Sequence, residues 1–421
     1  MSDTTDGQVL TTQDGKPLKA ALANALRREK LRSLMLIAPL LIFVLITFVA
    51  PIADMLFRSV ENGIVADTLP KTVVVLKEWD SGSGETPDEE VYAALYDDLV
   101  VAVDNKTHTR LGSRLNYEES GISSLFRKTG RRIKRMDEAG PFKDQFLAAD
   151  KKWGDVETWQ VLQRYSPRLT PGYFLNSFDA HQTAEGIELK PADQRIYMFL
   201  FGRTLFLSIV ITVSCLLLGY PIAYLLAALP LRTSNLLMIL VLLPFWTSLL
   251  VRTSAWKVLL QQQGVINDFL VWTGLIGDAS RLVMINNQTG TIIAMTHILL
   301  PFMILPLYSV MKTISPSYVR AAKSLGANDW TAFWRVYFPQ SVPGIGAGAV
   351  LVFILSIGYY ITPELVGGTS GIFISNRIAY HISSSLNWGL AAALGTLLLV
   401  AVLMLFIVYD RIVGIDNVKL G

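Results

Sequence analysis

The sequence is poor in the residues that disulfide scaffolds, metal sites and soluble surfaces require. Its single cysteine, Cys215, excludes any disulfide within the chain and any metal site built from several cysteines. The four histidines include no i,i+4 pair of the kind found in zinc-hydrolase helices. Only 17% of the 421 residues are charged, against roughly a quarter in soluble domains, and the net charge of +3 provides no large basic surface for nucleic acid.

Long apolar runs take the place of the missing charge. Crossing a bilayer takes about 20 mostly apolar residues, and the sequence contains six runs of this kind. They lie at Leu34–Leu56, Tyr197–Ala228, Leu236–Ala255, Thr291–Met311, Ile345–Glu364 and Leu390–Tyr409. The sequence therefore predicts an all-α membrane protein with six transmembrane helices and both termini on the same side.

One polar stretch interrupts this pattern. Residues 58–195 hold 19 Lys/Arg and 23 Asp/Glu, a net charge of −4, and are long enough to fold as a domain. Thr86–Glu89 matches a capping box that starts a helix, further helices are predicted near Ile122–Met136 and Phe142–Tyr165, and Val73–Leu76 is a candidate strand. We therefore expect a large, mainly helical insertion between helices 1 and 2.

The distribution of Lys and Arg predicts the orientation, because loops that stay in the cytoplasm are enriched in positive charge. The basic residues concentrate in alternate segments: Lys16, Lys19, Arg27, Arg28, Lys30 and Arg32, then Arg232, then Lys312, Arg320, Lys323 and Arg335. Both termini are predicted to be cytoplasmic and the insertion to face outward. The predicted divisions are a tail (1–33), helix 1 (34–57), the insertion (58–195), a core with helices 2 to 6 (196–411) and a second tail (412–421).

The loop between the fourth and fifth runs, residues 315–346, contains the start and stop signals of two short helices. Ser315 or Ser317 can cap the first helix, Gly326 ends it, and a second helix from Asp329 is predicted to be broken by Pro339. Two short helices held parallel to the membrane would form a rigid knob that another protein can grip.

This loop resembles the EAA loop of ATP-binding-cassette importer permeases. That pattern runs Glu-Ala-Ala, three residues, Gly, nine residues, a branched apolar residue, any residue, an apolar residue, Pro. The matching positions, with their neighbours in the loop, are Arg320, Ala321, Ala322, Leu325, Gly326, Ala327, Val336, Phe338 and Pro339. Arg320 replaces the usual Glu, which removes the polar contact attributed to that Glu but not the docking role of the loop.

Further segments resemble the spermidine/putrescine-type permeases, in the branch of the first permease subunit. The likeness covers about residues 30–57 and 195–415 but not the insertion. The segments that carry it are Leu217–Leu225, Leu243–Trp256, Gly264–Asn267, Leu300–Leu307 and Pro363–Gly368. The resemblance implies a type I importer permease fold in a bacterial inner membrane, with the insertion in the periplasm.

The resemblance also implies a division of labour. Such a permease works with a second, homologous permease, two ATPase subunits and a periplasmic solute-binding protein. The chain has no G-x-x-x-x-G-K-[ST] motif, since its Gly15-Lys16 pair is followed by Pro17. We therefore expect no enzyme activity, no cofactor and no metal in this chain, with ATP and Mg²⁺ bound by the partner ATPase, and partners that include the lipid membrane but no nucleic acid.

Ionisable residues at membrane depth are candidates for the translocation path, because they are costly to leave in lipid. Arg252 and Glu364 lie near the outer ends of helices 3 and 5; each could instead sit in the headgroup zone or pair with the other. Polar and aromatic candidates near them are Trp246, Thr247, Tyr359, Tyr360 and His381, although a Trp or Tyr near a span end is also typical of an interface anchor.

Two other classes of protein fit part of the pattern. A stand-alone secondary transporter should show internal repeats with broken helices at matched positions, and it gives residues 315–346 no role. A membrane-anchored sensor or enzyme would place its function in the insertion, which shows no recognisable catalytic set. The solute itself stays open between a polyamine and another small polar compound such as an opine or an amino-acid derivative, because the acidic residue expected beside Gly358 in polyamine members is absent.

Overall fold

The computed structural model describes residues 18–183 and 186–413, and the chain divides into two units, Met1–Phe57 and Arg58–Gly421. Most of the predicted N-terminal tail (1–17) and C-terminal tail (414–421) lies outside the described residues. In the first unit a helix runs from Leu18 through a π-helical turn, Leu45–Val49, and ends at Arg58. Its stretch Glu29–Arg58 is long and apolar enough to cross a membrane. We call this stretch span 1.

The described part of the second unit contains four more uninterrupted spans and one bent pair of helices. Span 2 is Tyr197–Ala228, span 4 is Gln288–Thr313, span 5 is Asp329–Gly358 and span 6 is Trp388–Tyr409, at the start of the helix Trp388–Val413. The bent pair, Leu231–Trp246 with Leu249–Leu259, turns by 96° at Thr247 and Ser248 and is here called span 3. Six spans result if the pair counts as one, in agreement with the predicted all-α membrane fold.

Two predicted boundaries were wrong. Span 5 starts at Asp329 rather than Ile345 and passes through Pro339, because a π-helical stretch, Phe333–Tyr337, widens the turn just before the proline. It ends at Gly358, so Glu364 lies in a separate short helix, Ile361–Val366. The third run was predicted as one straight helix, but Pro244 and the extended Ser248 divide it.

Spans 2, 4 and 5 form the centre of the membrane core. Glycines allow their backbones to approach closely: a Cβ on Gly219 of span 2 would lie 3.1 Å from Met303 of span 4, and one on Gly348 of span 5 would lie 2.7 Å from the sulfur of the same Met303. Buried apolar side chains such as Leu207 and Leu299 fill the space between these helices. The core is therefore a close-packed helix bundle.

Residues 58–195, called the outer domain, are mainly helical. The helices are Ile64–Thr68, Pro70–Leu76, Glu89–Asp104, His108–Leu115, Ile122–Arg132, Phe142–Ala149, Val156–Arg164 and Gly172–Ser177, with 3₁₀ turns at Ile133–Arg135, Lys151–Gly154 and Ala192–Gln194. One antiparallel hairpin joins Ala180–Gln182 to Ile187–Leu189. Aromatic side chains fill the core, where the indole N–H of Trp159 and the hydroxyl of Tyr92 both donate to the carbonyl of Trp153.

Three local predictions for the outer domain were wrong. Val73–Leu76 is helical rather than a strand, because Pro70 starts a helix that buries Val73 and Leu76 on one side. The next helix begins at Glu89 with Asp88 as its N-cap, and no capping box forms, because the Glu89 carboxylate accepts from the backbone N–H of Phe142 and Lys143 instead.

The third concerns the predicted helix Phe142–Tyr165, which is broken into three pieces. The breaks lie at Asp150 and Asp155, both of which have extended backbones. The Asp150 carboxylate accepts from the backbone N–H of Lys152 and so caps the 3₁₀ turn that follows.

Candidate functional site

The loop between spans 4 and 5 contains a capped helix and a sharp turn. The Ser315 hydroxyl accepts from the backbone N–H of Ser317 and starts the helix Pro316–Ser324. Gly326 follows with a φ of +91°, a conformation that favours glycine. The Asn328 side chain then accepts from the backbone N–H of Thr331 at 2.8 Å and caps the first turn of span 5. We call residues 315–339 the coupling loop.

The coupling loop presents large apolar side chains to its surroundings. Leu325 is 91% exposed and Trp330 is 72% exposed, so the turn between the helices forms an apolar knob. Arg320 and Ala321 are exposed, while Ala322 and Ala327 are half-buried beneath the turn. Val336, Phe338 and Pro339 lie beyond it, within span 5.

Aromatic contacts attach the coupling loop to span 2. The ring of Tyr224 lies 5.1 Å from that of Tyr337, edge to face, and the ring of Tyr220 lies 5.9 Å from that of Phe338. The Tyr220 hydroxyl also lies 3.0 Å from the hydroxyl of Ser341. These contacts join the coupling loop to span 2, and its second helix continues directly into span 5.

The bend in span 3 is held by Arg252. Its guanidinium donates to the carbonyls of Pro244 and Thr247, and its Nε donates to the Thr247 hydroxyl at 3.3 Å. The Pro244 carbonyl also accepts from the backbone N–H and the hydroxyl of Thr247, so the arginine adds to a set of hydrogen bonds around the break. Thr247 thus belongs to the bend, and Trp246 beside it is 72% exposed.

A cleft of about 460 Å³ lies next to the end of span 5. Its lining includes Tyr360 and Glu364 together with residues of the following helix, Ile374–Ser383. The Glu364 carboxylate accepts from the side-chain amide of Asn376 at 2.6 Å, and the same amide donates to the carbonyl of Tyr360 at 2.9 Å. Asn376 therefore fixes the carboxylate at the cleft wall.

Glu364 and Arg252 have different partners, so the predicted alternative of a mutual ion pair is not what the structure contains. Tyr359 does not line the cleft; its carbonyl accepts from the Ser375 hydroxyl at 2.6 Å. Sequence reasoning missed Asn376, Arg377 and Tyr380, which also line the cleft. Their helix has a recognisable signal in Ile374, Ile378 and His381 at i, i+4 and i+7.

His381 lies away from the cleft, where the core meets the outer domain. Its Nε2 is 3.0 Å from the Tyr197 hydroxyl, its Nδ1 is 2.8 Å from the Ser385 hydroxyl, and the ring of Tyr117 is 5.8 Å away. Burial, with the positive charge of Arg377 adding to it, lowers the pKa of His381 to about 4. The imidazole is therefore neutral at ordinary pH.

Two further contacts hold the outer domain on the core. The Asp179 carboxylate accepts from the backbone N–H groups of Ile196, Tyr197 and Met198, and so caps the N-terminus of span 2. Tyr173 packs so closely on Gly389 of span 6 that a Cβ there would lie 2.3 Å from its ring. These contacts and those of His381 are called the joint.

A buried polar network stiffens the outer domain behind the joint. The Arg114 guanidinium donates to the Tyr173 hydroxyl at 2.9 Å and to Glu118 at 2.5 Å, and Glu118 also accepts from the hydroxyl of Tyr165 and the amide of Asn176. Burial opposes the charge on Arg114, but Glu118 and Tyr173 outweigh it and raise the Arg114 pKa. Burial, followed by Glu118, raises the pKa of Tyr165.

Comparison with known proteins identifies the core. Residues 216–415 match the family described as binding-protein-dependent transport system inner membrane component. The spermidine/putrescine transport system permease protein PotB of Salmonella typhimurium (strain SL1344) is 34% identical over 226 residues, which cover 54% of this chain and 78% of that protein. The chain belongs to this family of ABC importer permeases. It is a multi-pass inner membrane protein that provides a transport permease subunit, and it is not an enzyme.

The comparisons also include a further relative and a solved structure. The inner membrane ABC transporter permease protein YdcU of Escherichia coli (strain K12) is 32% identical over 222 residues, covering 50% of this permease and 70% of that protein. A crystal structure of a bacterial ABC transporter involved in the import of the acidic polysaccharide alginate is 19% identical, with a TM-score of 0.43, and covers 70% of this chain and 99% of that chain. The outer domain lies before the family match.

Proposed function

We propose that this permease imports a polyamine of the spermidine or putrescine type. Two observations support the proposal: the relatives named as spermidine/putrescine permeases, and the cleft in which a fixed carboxylate, Glu364, stands among the aromatic residues Tyr360 and Tyr380. Ammonium groups bind both to carboxylates and to aromatic faces. The carboxylate of Glu364 is the observation that carries this choice of solute.

Arg377 supports a second candidate solute. Its guanidinium lines the same cleft and lies 5.7 Å from the ring centre of Tyr380. A cleft with one carboxylate and one guanidinium fits a zwitterion that has both an ammonium and a carboxylate, such as an opine or another amino-acid derivative. A polyamine carries no group that would pair with Arg377.

The same proposal includes the partners and the orientation. The permease would pair with a second, homologous permease, two ATPase subunits that bind ATP and Mg²⁺, and a periplasmic solute-binding protein. Both termini and the coupling loop would be cytoplasmic, in line with the Lys/Arg bias, and the outer domain periplasmic. The exposed Leu325 and Trp330 would enter a pocket on an ATPase subunit.

The coupling loop suggests how transport would follow. Closure of the ATPase pair would push on the knob, and the aromatic contacts of Tyr220 and Tyr224 would carry the push to spans 2 and 5. The spans would then alternate between inward-open and outward-open arrangements. Residues at the bend of span 3 and in the cleft would line the path between them.

Uptake into proteoliposomes would test the choice of solute. The permease is purified with its partners, reconstituted with ATP inside, and supplied with its binding protein and labelled spermidine, putrescine or an opine. We expect ATP-dependent uptake of a polyamine, and we expect Glu364→Gln to reduce it at least tenfold because the ammonium loses its charged partner, about 1.4 kcal/mol or more. Arg377→Gln is the matched control and should retain uptake.

The outcomes separate the candidates. If the protein takes up an opine and Arg377→Gln loses this uptake, the solute is the zwitterion and not a polyamine. Polyamine uptake that Glu364→Gln leaves unchanged would remove this carboxylate from the path. Failure of the purified permease to bind any ATPase would contradict the proposed role of the coupling loop.

A further inference from the structure

The second strand of the hairpin in the outer domain exposes two large apolar side chains. In its register Ala180 pairs with Leu189, His181 with Glu188 and Gln182 with Ile187. Because side chains alternate across a strand, Ile187 and Leu189 share one face. They are 68% and 60% exposed. The chain therefore presents two large aliphatic side chains on the face of a two-stranded hairpin.

The opposite face of the hairpin is turned toward the outer domain. Glu188 and His181 line a cavity there together with Glu118 and Tyr165. The Arg164 guanidinium donates to the carbonyl of Gln182 and ties this side of the hairpin down. Ile187 and Leu189 are not among the residues that line this cavity, and their side chains are exposed.

The base of the hairpin, at Asp179 and Lys190, lies at the N-terminal end of span 2. The backbone N–H of Lys190 donates to the carbonyl of Asp179 at 2.8 Å, and the Asp179 carboxylate caps residues 196–198. The Arg195 side chain donates back to the carbonyl of Lys190. Leu189 is thus followed directly by Lys190, which is hydrogen-bonded to Asp179, the residue that caps span 2.

The exposed apolar surface of span 2 begins at this same place. Ile196, Met198 and Phe199 are exposed at its first turn, and Phe206 and Val213 continue the row at intervals of seven residues from Phe199. Phe178, next to Asp179, is also exposed. The strand that carries Ile187 and Leu189 is therefore linked, through Lys190 and Asp179, to the exposed apolar start of span 2.

Basic side chains flank this surface at the level of the first turn. Arg195 is exposed, and the guanidinium of Arg203 lies 4.5 Å from the ring centre of Phe199 and donates to the carbonyl of Thr369. Arginine beside an aromatic ring at the end of a span is typical of the headgroup region, where the stem lies in apolar surroundings and the head meets phosphate.

We propose that the hairpin of Ala180–Gln182 and Ile187–Leu189 is a membrane anchor whose Ile187 and Leu189 enter the lipid leaflet at the N-terminal end of span 2. The occupant is the bilayer, because these exposed side chains are linked to the apolar start of the span and arginines border that start. The anchor fixes the outer domain against the membrane surface, in addition to the joint. This inference rests on membership of the permease family and is independent of the solute.

Spin labels can test the anchor, because the chain has one cysteine and Cys215 is buried. In a Cys215→Ser background, single variants Ile187→Cys, Glu188→Cys and Leu189→Cys receive a nitroxide. Val101→Cys is the matched control, because Val101 is 59% exposed on a helix of the outer domain. The full chain, with its importer partners, is placed in lipid nanodiscs, and collisions with oxygen and with a water-soluble nickel chelate are measured.

We expect the ratio of oxygen to nickel collisions to be several-fold higher at 187 and 189 than at 188 and 101, because oxygen concentrates in lipid and the chelate stays in water. Ratios at 187 and 189 equal to that at 101 would overturn the anchor in favour of a water-exposed face. Exclusion of both reagents at 187 and 189 would overturn it in favour of a covering protein subunit.

A second variant guards against a perturbing label. Leu189→Trp should show fluorescence quenching by lipids brominated near the headgroup end of the acyl chain, beyond that of the unmodified protein with its nine tryptophans. Val101→Trp should show no added quenching. Added quenching at 101 but not at 189 would contradict the proposal.

Discussion

At the scale of single residues, Asp179 combines a strained backbone with an unusually large number of hydrogen bonds. It has a φ of +55°, is almost fully buried, and accepts from three backbone N–H groups at the start of span 2. A non-glycine residue in this conformation is retained where the surroundings compensate for its strain. The three charge-assisted hydrogen bonds supply that compensation, so the joint depends strongly on one side chain.

We therefore expect Asp179→Ala to destabilise the joint by about 2 to 3 kcal/mol, since it leaves helix N–H groups without an acceptor. Limited proteolysis of the purified protein should cleave faster within residues 180–196. Asp179→Asn is the control, because asparagine tolerates a positive φ and keeps one acceptor oxygen. Equal cleavage rates for Asp179→Ala and the unmodified protein would argue against a capping role.

His381 predicts a pH dependence. Burial, with Arg377 adding to it, lowers its pKa from 6.5 to about 4 in the folded protein, so the unfolded chain binds more protons between these values. The free energy of unfolding should therefore be highest above pH 6.5 and fall by up to about 3 kcal/mol as the pH drops towards 4. Thermal unfolding in detergent between pH 7.5 and 4.5 measures it.

His381→Gln removes the titrating group, and its amide can still meet Tyr197 and Ser385. As the pH falls, the melting temperature of the unmodified protein should decrease more than that of the variant. The difference between the two melting temperatures should therefore shift in favour of the variant. If the melting temperatures of the two proteins change in parallel across this pH range, groups other than His381 cause the acid sensitivity.

At the scale of elements, the turn of the coupling loop depends on Gly326. Its φ of +91° is strained for any residue with a Cβ, although the space around it is open. Gly326→Val should distort the turn at a cost of about 1 kcal/mol or more and displace Leu325 and Trp330. We expect ATP hydrolysis to continue while uptake per ATP falls severalfold.

Gly326→Asn is the matched control, because asparagine enters positive φ more readily. The measurement is the ratio of solute taken up to phosphate released in proteoliposomes. A normal ratio in Gly326→Val, with the complex intact, would show that the turn does not transmit the push.

The sequence predicted elements well where composition decides them. Span 2, predicted from about Tyr197 to Ala228, was confirmed, because a long apolar helix has no competitor in a bilayer. The bend of span 3 was missed, because hydropathy records apolar content and not direction. Its signal was local: Pro244, with Thr247 and Ser248 just after it, and Arg252 as the donor.

The site was harder to predict than the spans. The Gly326 turn and the helix before it follow from a local pattern, whereas the break predicted at Pro339 was wrong, because the helix continues into span 5. Glu364 was singled out for its charge, but its partner Asn376 lies twelve residues on, and tertiary folding brings them together. His381 was placed near the path, whereas its contacts with Tyr197 and Tyr117 belong to the joint, which no local pattern encodes.

At the scale of the molecule, the larger part of the outer domain, residues 62–168, starts and ends at one point. The backbone N–H of Asn62 donates to the carbonyl of Arg168, and that of Thr170 donates to the carbonyl of Val60, at 2.7 and 2.8 Å. The residues between them leave the core and return to the same place. Residues 63–167 can therefore be removed without changing the separation of residues 60–62 from residues 168–170.

We expect replacement of residues 63–167 by a short Gly/Ser linker to leave a membrane-inserted protein that still binds its ATPase, since Tyr173 and Asp179 remain. Uptake driven by the binding protein should fall if the outer domain helps to seat that protein. Replacement of residues 63–191 is the contrasting variant, because it also removes the cap on span 2, and it should unfold at a lower temperature. Identical melting and uptake in both variants would contradict this view.

Span 5 has the length that a lever between the coupling loop and the cleft would need. It is continuous from Asp329, beside the exposed turn of the coupling loop, to Gly358, two residues before Tyr360 of the cleft. Thirty helical residues extend about 45 Å, so a tilt of about 5° about one end moves the other by about 4 Å. That displacement is comparable to the width of a methylene chain. A few degrees of motion imposed by the ATPase would thus suffice to open or close the cleft to a slender solute.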